Sequence, residues 1–237
     1  VVRLDWAEAF RIIHSRYPFE GIFDRVTDPA DLAAVAAIEA RTNPRVRDEL
    51  GDLALVPAAD RVSGPGTTPI MAAFTHARPS RFGDGSAGVY YAARRRDTAI
   101  AETTYHVART YAATNEASAD IDMRVYVSRI HGRFDDLRAA PASDPRLDPH
   151  SYAASQAYGR AVRAADVADG IAYPSVRDPK RRPCVACFRP RSITQCQTHS
   201  YLTYRWDGDR QRIVAVTERE FLSGFGPTPA RSGRSGR

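Results

Sequence analysis

Ser80-Arg81-Phe82-Gly83-Asp84-Gly85-Ser86-Ala87-Gly88, then Val89-Tyr90-Tyr91-Ala92, then Thr98-Ala99-Ile100-Ala101-Glu102-Thr103: the fold turns on this stretch. It reads as a glycine-containing loop, a short strand of bulky residues, and a helix. A dinucleotide-binding β-α-β unit needs its glycines between a strand and a following helix, so that the helix N-terminus meets the pyrophosphate. No Gly-x-Gly-x-x-Gly stands in that position here, and a Rossmann domain is not expected. Elsewhere helices and strands mix without a regular β-α-β rhythm, and there is no internal repeat. The expected fold is therefore a compact α+β fold.

Upstream, Glu8–His14 predicts a strand through Phe10, Ile12 and Ile13, broken at Tyr17-Pro18-Phe19. Thr27-Asp28-Pro29 opens a helix, with Asp as cap and Pro in the first turn. Leu32, Val35, Ala36 and Ile38 form its apolar face, and Asn43-Pro44 stops it. Residues 51–69 read as a loop around a short Leu53–Val56 strand. Thr68-Pro69 starts a helix with Ile70, Met71 and Phe74 on one side, ending before Arg78-Pro79. The clearest helix is capped by Asp97 or Thr98 and ends near Ala113. Ile100, Thr103 or Thr104, Val107 and Tyr111 recur along it at helical spacing. Downstream, Met123–Ile130 alternates as a strand, His150–Ala164 reads as a helix, and Ile171–Tyr173 and Cys184–Phe188 as core strands. Tyr201–Trp206 and Gln211–Val216 flank Trp206-Asp207-Gly208-Asp209, a hairpin signal. One domain is expected over residues 1–226, with 27–78 as a helical insertion or subdomain. Residues 227–237, mostly Gly, Pro, Ser and Arg, are expected to be a disordered tail.

The chain of 237 residues is long enough to bury a core without disulfides or a metal. No stretch reaches the ~18 apolar residues of a spanning helix. Val1-Val2-Arg3-Leu4-Asp5-Trp6 lacks the basic flank and apolar run of a signal peptide, and a cytoplasmic location is the expectation. The net charge is +6, with Lys180 the sole lysine. Abundant Arg with abundant Ala is the mark of a GC-rich genome. The cations are interleaved with acids except at Arg94-Arg95-Arg96 and Lys180-Arg181-Arg182. That falls short of the sustained basic face a nucleic-acid groove needs. Cys184-Val185-Ala186-Cys187 has metal-ligand spacing but no second pair, so structural cysteines are favoured over a zinc site completed by Cys196 and His199, and no metal is expected.

Arg81, Tyr91, Glu102 and Ser175 offer a cation, an aromatic, a carboxylate and a hydroxyl. Such groups suit holding a dinucleotide and breaking its nicotinamide–ribose bond. The leaving group is already cationic and requires no general acid. A carboxylate stabilises the oxocarbenium-like sugar. Arg grips a pyrophosphate bidentately, and an aromatic ring stacks on nicotinamide. Arg177 is added as a second phosphate contact. Each also has an ordinary reading. Arg81 is one arginine among many, Tyr90 or Tyr91 is core packing, Glu102 pairs with His106 four residues on, and Ser175 is a turn residue.

At these residues the chain resembles the RES-domain family, named for an Arg, a Glu and a Ser that match Arg81, Glu102 and Ser175. The resemblance extends over roughly residues 8–216. It runs through Arg11-Ile12-Ile13-His14 with Tyr17-Pro18, Thr42-Asn43-Pro44-Arg45, Ala73-Phe74-Thr75-His76, Arg81-Phe82-Gly83-Asp84-Gly85, Val89–Ala92 with Ala99–Glu102, Asp169-Gly170-Ile171, Tyr173–Arg177 and Cys187–Pro190. It implies an ADP-ribosyltransferase-like fold, with small mixed β-sheets surrounded by helices, and a toxin of a bacterial toxin–antitoxin pair. The partner it implies is an Xre-type helix-turn-helix antitoxin covering the active site, with DNA reached only through that partner. NAD is implied as substrate, with the ADP-ribosyl group passing to phosphate, water or a protein acceptor. The family's catalytic Arg, Tyr and Glu fall on Arg81, Tyr91 and Glu102, and its Ser on Ser175. Homodimerisation is suggested by family analogy alone.

Overall fold

The computed structural model describes residues 1–18, 20–42, 48 and 50–219. Two expectations, the helix stop at Asn43-Pro44 and the disordered tail over 227–237, lie outside the described residues. The fold is α+β. Seven strands among the described residues form one mixed sheet: β1 (Val2–His14), β4 (Tyr90–Ala93), β5 (Ala119–Asp136), β6 (Gly170–Pro174), β7 (Pro183–Cys187), β8 (Ile193–Asp207) and β9 (Arg212–Glu218). Their order is β1-β4-β7-β6-β5-β8-β9, and β1 also pairs with β5. That second pairing closes β1, β4, β7, β6 and β5 into a ring, with β8 and β9 continuing outward from β5. All pairings are antiparallel except β5–β6. A separate two-stranded hairpin joins β2 (Pro79–Ser80) to β3 (Gly83–Asp84).

The two faces of the sheet bury separate clusters. One face packs Trp6, Tyr90, Tyr126 and Ile130 against residues of the 22–75 segment, among them Phe23, Leu32, Ile70, Met71 and Phe74. That segment contains α1 (Ile22–Arg25), α2 (Leu32–Thr42) and α3 (Thr68–Thr75). It shares a core with the sheet, so its removal would expose that face to water at roughly 1.5–3 kcal/mol for each large apolar side chain. The other face buries Ile12, Met123, Leu202, Tyr204 and Trp206 beneath α4 (Arg96–Ala113). Tyr111 of α4 lies against the Trp206 ring at 5.8 Å, and Thr103 Oγ1 bonds the Tyr204 hydroxyl at 2.7 Å. The last helix, α5 (Ala153–Ala165), crosses the β2–β3 hairpin.

Several local readings shift. Asp28 does cap a turn, accepting from Ala30 N at 2.9 Å, but it opens a 3-10 turn, Pro29–Asp31, that leads into α2. Leu32 is buried on the expected apolar face, whereas Ile38 is 67% exposed. Leu53–Val56 is not a strand. The Asp52 carboxylate accepts from Ala54 N at 3.0 Å and turns Leu53–Leu55 into a 3-10 helix. The loop expected over Ser80–Gly88 contains the β2–β3 hairpin. Gly83, Gly85 and Gly88 do carry Gly-x-Gly-x-x-Gly spacing, but they lead into strand β4 rather than into a helix. A Cβ on Gly83 would lie 2.9 Å from the Val89 side chain, so that glycine serves internal packing. In α4, Arg95 rather than Asp97 or Thr98 is the N-cap, because Thr98 is turned inward onto Asp178. The 201–216 hairpin forms as read, with β8 starting earlier at Ile193.

Candidate active site

The strands β1 and β4 pair at a single position, Phe10 with Ala93, while β1 pairs with β5 from Val2 to His14. Where they diverge, a cleft of about 730 Å³ opens. Its walls are Phe10–Ile13 of β1, the Pro79–Arg81 end of the hairpin, Tyr91–Ala93 of β4, and one face of α4. Arg81, Tyr91 and Glu102 all line it. Ser175 and Arg177 do not.

Arg81 and Phe82 are the two residues that connect β2 to β3, since Ser80 pairs with Gly83. Helix α5 fixes that connection. Gln156 Nε2 donates to the Ser80 carbonyl at 3.0 Å, and a Cβ on Gly159 would strike the Phe82 carbonyl at 2.3 Å, so a glycine is required there for the helix to approach. The Arg81 guanidinium is largely buried. It donates to the Asp148 carbonyl at 2.8 Å and lies over the Tyr152 ring at 4.8 Å. These contacts use one edge and one face of the guanidinium, and among the described residues no carboxylate forms an ion pair with it, although its charge is felt at the Asp148 carboxylate. A cation held this way in a cleft attracts an anion.

Tyr91 takes part differently from a free stacking ring. Its hydroxyl accepts from Phe82 N at 2.9 Å and bonds Ser80 Oγ at 2.9 Å. It thus ties β4 to the residues on either side of Arg81. Burial pushes its pKa up to about 12, although the Ser80 and Phe82 bonds and the Arg81 charge pull the other way. The phenol is protonated at any physiological pH. Tyr90 faces the opposite side of the sheet, in the core. Strand alternation therefore puts Tyr91 on the cleft side of β4 and Tyr90 in the core.

Glu102 sits in the second turn of α4. Its Oε1 accepts from Ser175 Oγ at 2.5 Å and from Val176 N at 3.3 Å. Ser175 is fully buried behind it. The Ser175 oxygen itself accepts from Arg177 N at 3.2 Å and Asp178 N at 2.9 Å. With its acceptor sites occupied by two backbone donors, the hydroxyl has one direction in which to send its hydrogen, toward Glu102. It holds one carboxylate oxygen while the rest of the group borders the cleft.

Arg177 turns away from the cleft lining. Its guanidinium stacks on Tyr105 at 3.3 Å and donates to the Pro149 carbonyl. Its backbone N–H meets Ser175 Oγ, and its charge is felt at His106 on the cleft rim.

Residues that the sequence reading did not place in the site also line the cleft. His106 and Arg109 follow Glu102 along α4, and Tyr152 faces Arg81. His106 stands at the rim with its pKa lowered. Loss of water around the ring is the main cause; the Glu102 charge opposes it, and Arg177, Arg81 and Arg109 reinforce it. The i,i+4 relation of Glu102 and His106 was the available signal. No contiguous pattern announces Tyr152.

The three cysteines are buried and free. Burial is the first cause that raises each thiol, to about 12 at Cys187 and about 11 at Cys196. Cys184 and Cys187 belong to the clusters on opposite faces of β7, as three-residue spacing in a strand dictates. Among the described residues, no group of three or more His, Cys, Asp or Glu side chains is arranged to hold a metal, and no helix is long and apolar enough to cross a membrane.

The chain is an α+β protein whose ring of strands borders a cleft with a buried Arg and a serine-held Glu on its walls. The family model of the RES domain matches residues 58–207, from before α3 to the end of β8. This chain belongs to the RES-domain family. Arg81, Tyr91, Glu102 and Ser175 all fall inside the matched span. The chain is also similar to the uncharacterized protein y4oC of Sinorhizobium fredii (strain NBRC 101917 / NGR234). The two are 27% identical over 214 residues, covering 87% of this chain and 86% of that protein.

Proposed function

We propose that this protein binds NAD in the cleft, cleaves its nicotinamide–ribose bond and transfers the ADP-ribosyl group to phosphate or water. The observation that carries this reading is the pairing of a serine-held carboxylate with a guanidinium that has no ion pair among the described residues, both on the walls of one cleft. Arg81 takes the pyrophosphate. Glu102 faces the ribose and stabilises positive charge as the glycosidic bond lengthens, an electrostatic contribution that grows toward the transition state. The electron pair of the breaking bond leaves with nicotinamide, which departs neutral, so the site needs no acid. Tyr91 holds the Arg81 loop and offers its ring edge to the bound base. Phosphate or water then attacks the anomeric carbon.

The neighbours of Glu102 support a small acceptor. Ala99 and Ala101 have no functional group, and Thr103 is committed to the Tyr204 hydroxyl. Among the described residues that line the cleft, no acidic or amide side chain other than Glu102 is present to engage a protein nucleophile. Transfer to a protein acceptor, such as a nucleotide-biosynthesis synthetase, is the competing outcome. In the cell the protein would deplete NAD and arrest growth, as the toxin of a type II pair in the cytoplasm. Its Xre-type antitoxin would cover the cleft.

Purified protein incubated with NAD, with and without phosphate, should release nicotinamide and yield ADP-ribose or its phosphate ester by mass spectrometry. Absence of nicotinamide release from folded protein would overturn the reading. Labelled NAD appearing in a discrete protein band of a cell lysate would replace it with protein ADP-ribosylation.

A further inference from the structure

Behind the Glu102–Ser175 pair lies a second polar cluster that the cleft chemistry does not touch. Asp178 is 4% exposed. Its carboxylate accepts from Thr98 Oγ1 at 2.7 Å, Arg182 Nε at 2.6 Å and Lys180 N at 3.0 Å. Thr98 is fully buried and stands one turn before Glu102 on α4. Arg182 reaches the same turn a second time, through Asp97 at 3.4 Å.

Two ties therefore join one segment of α4 to one loop. Glu102 meets Ser175, and Thr98 meets Asp178. The same Asp178 links the ties, because its backbone N–H is one of the two donors that occupy the Ser175 oxygen. If the loop rotates, the Ser175 oxygen regains a free acceptor site and its hydrogen is no longer committed to Glu102. The Asp178 carboxylate is buried against a partly exposed Arg182, behind the site, where an apolar group of the same shape could also pack. A geometric role accounts for its placement.

We propose that Asp178, gripping Thr98 and Arg182, is a positioning residue for Glu102. It sets the 175–178 loop against the first turns of α4 and so fixes the direction of the Ser175 hydrogen bond that aims the catalytic carboxylate. The kinetic part of this claim rests on the NAD-cleaving reading.

The test uses the full chain with four variants: Thr98→Val, which keeps the shape and removes the hydroxyl, Thr98→Ser, which keeps the hydroxyl, Asp178→Asn, and the Thr98→Val/Asp178→Asn double variant. Thr98→Val and Asp178→Asn should each lower kcat for nicotinamide release by about tenfold or more, with KM for NAD within about threefold. Thr98→Ser should stay within about twofold of wild type, and the double variant should lose about as much as the worse single one, because both remove one unit. Amide exchange at residues 177 and 178, read by NMR, should quicken about tenfold or more in Thr98→Val while β5 and β8 stay protected.

Unchanged exchange at 177 and 178 overturns the proposal. So does faster exchange with an unchanged kcat, which would make the cluster purely structural. A wild-type protein that releases no nicotinamide defeats the functional reading instead. The positioning claim is then decided by exchange at those two amides and by crystals of Thr98→Val, where persistence of the Ser175 Oγ–Glu102 Oε1 contact would refute it.

Discussion

Replacing Ser175 with Ala removes one oxygen that makes three hydrogen bonds: the donation to Glu102 Oε1 and the acceptances from Arg177 N and Asp178 N. A hydrogen bond to a charged group contributes about 1.5–3 kcal/mol. At about 1.4 kcal/mol per factor of ten, losing the aim of the carboxylate should lower kcat by roughly 10–150-fold. Ser175 does not line the cleft, so KM for NAD should stay within about threefold. The two orphaned N–H groups each cost about 1–3 kcal/mol. The lower half of that range, about 2–4 kcal/mol in total, corresponds to a Tm decrease of about 4–16 °C in a chain of this size. Nicotinamide release under saturating NAD, measured alongside a thermal melt, reads both quantities. A normal kcat together with a lowered Tm would refute the reasoning, because the hydroxyl would then hold the loop without aiming Glu102.

Glu102→Gln keeps an acceptor for Ser175 and Val176 but removes the charge, so kcat should fall by about 10²–10³-fold with Tm changed little, checked by the same release assay and melt. Tyr91→Phe deletes the bonds to Ser80 Oγ and Phe82 N and strands a buried N–H, which should cost about 1–3 kcal/mol in denaturant unfolding and raise KM by loosening the Arg81 turn. Burial works to raise the Asp178 pKa, but Arg182, Thr98 and the Lys180 N–H outweigh it and hold the group at about 2, below its ordinary 3.8. A depressed carboxylate stabilises the fold above its unfolded value and loses that contribution as pH falls through the folded one. Asp178 should thus contribute roughly 2 kcal/mol above pH 4 that fades toward pH 2, and the stability gap between wild type and Asp178→Asn should close over the same window.

Local chemistry is what the sequence itself determined. Thr68-Pro69 starts α3 because Pro supplies a helical φ and needs no N–H in the first turn. Alternation over Met123–Ile130 and the Trp206–Asp209 turn likewise specify strands and a hairpin from within a few residues. Arg81, Tyr91 and Glu102 were candidates because one short segment of loop, strand and helix carries them and the family resemblance falls on them, and all three line the cleft. The α+β class followed from the order of those pieces.

Ring closure of the sheet decided the rest. Ser175 stands 73 residues from Glu102, and only the pairing of β6 with β7 and of β7 with β4 carries it behind α4 as a support rather than onto the cleft wall. The same packing turned Arg177 onto Tyr105, committed the Tyr91 hydroxyl to the Arg81 turn, brought Tyr152 over Arg81, and left His106 and Arg109 along the cleft. Propensity and capping act over one or two turns of chain. Which donor meets which acceptor across tens of residues depends on strand register and on where β1 parts from β4, and neither is written in any single stretch.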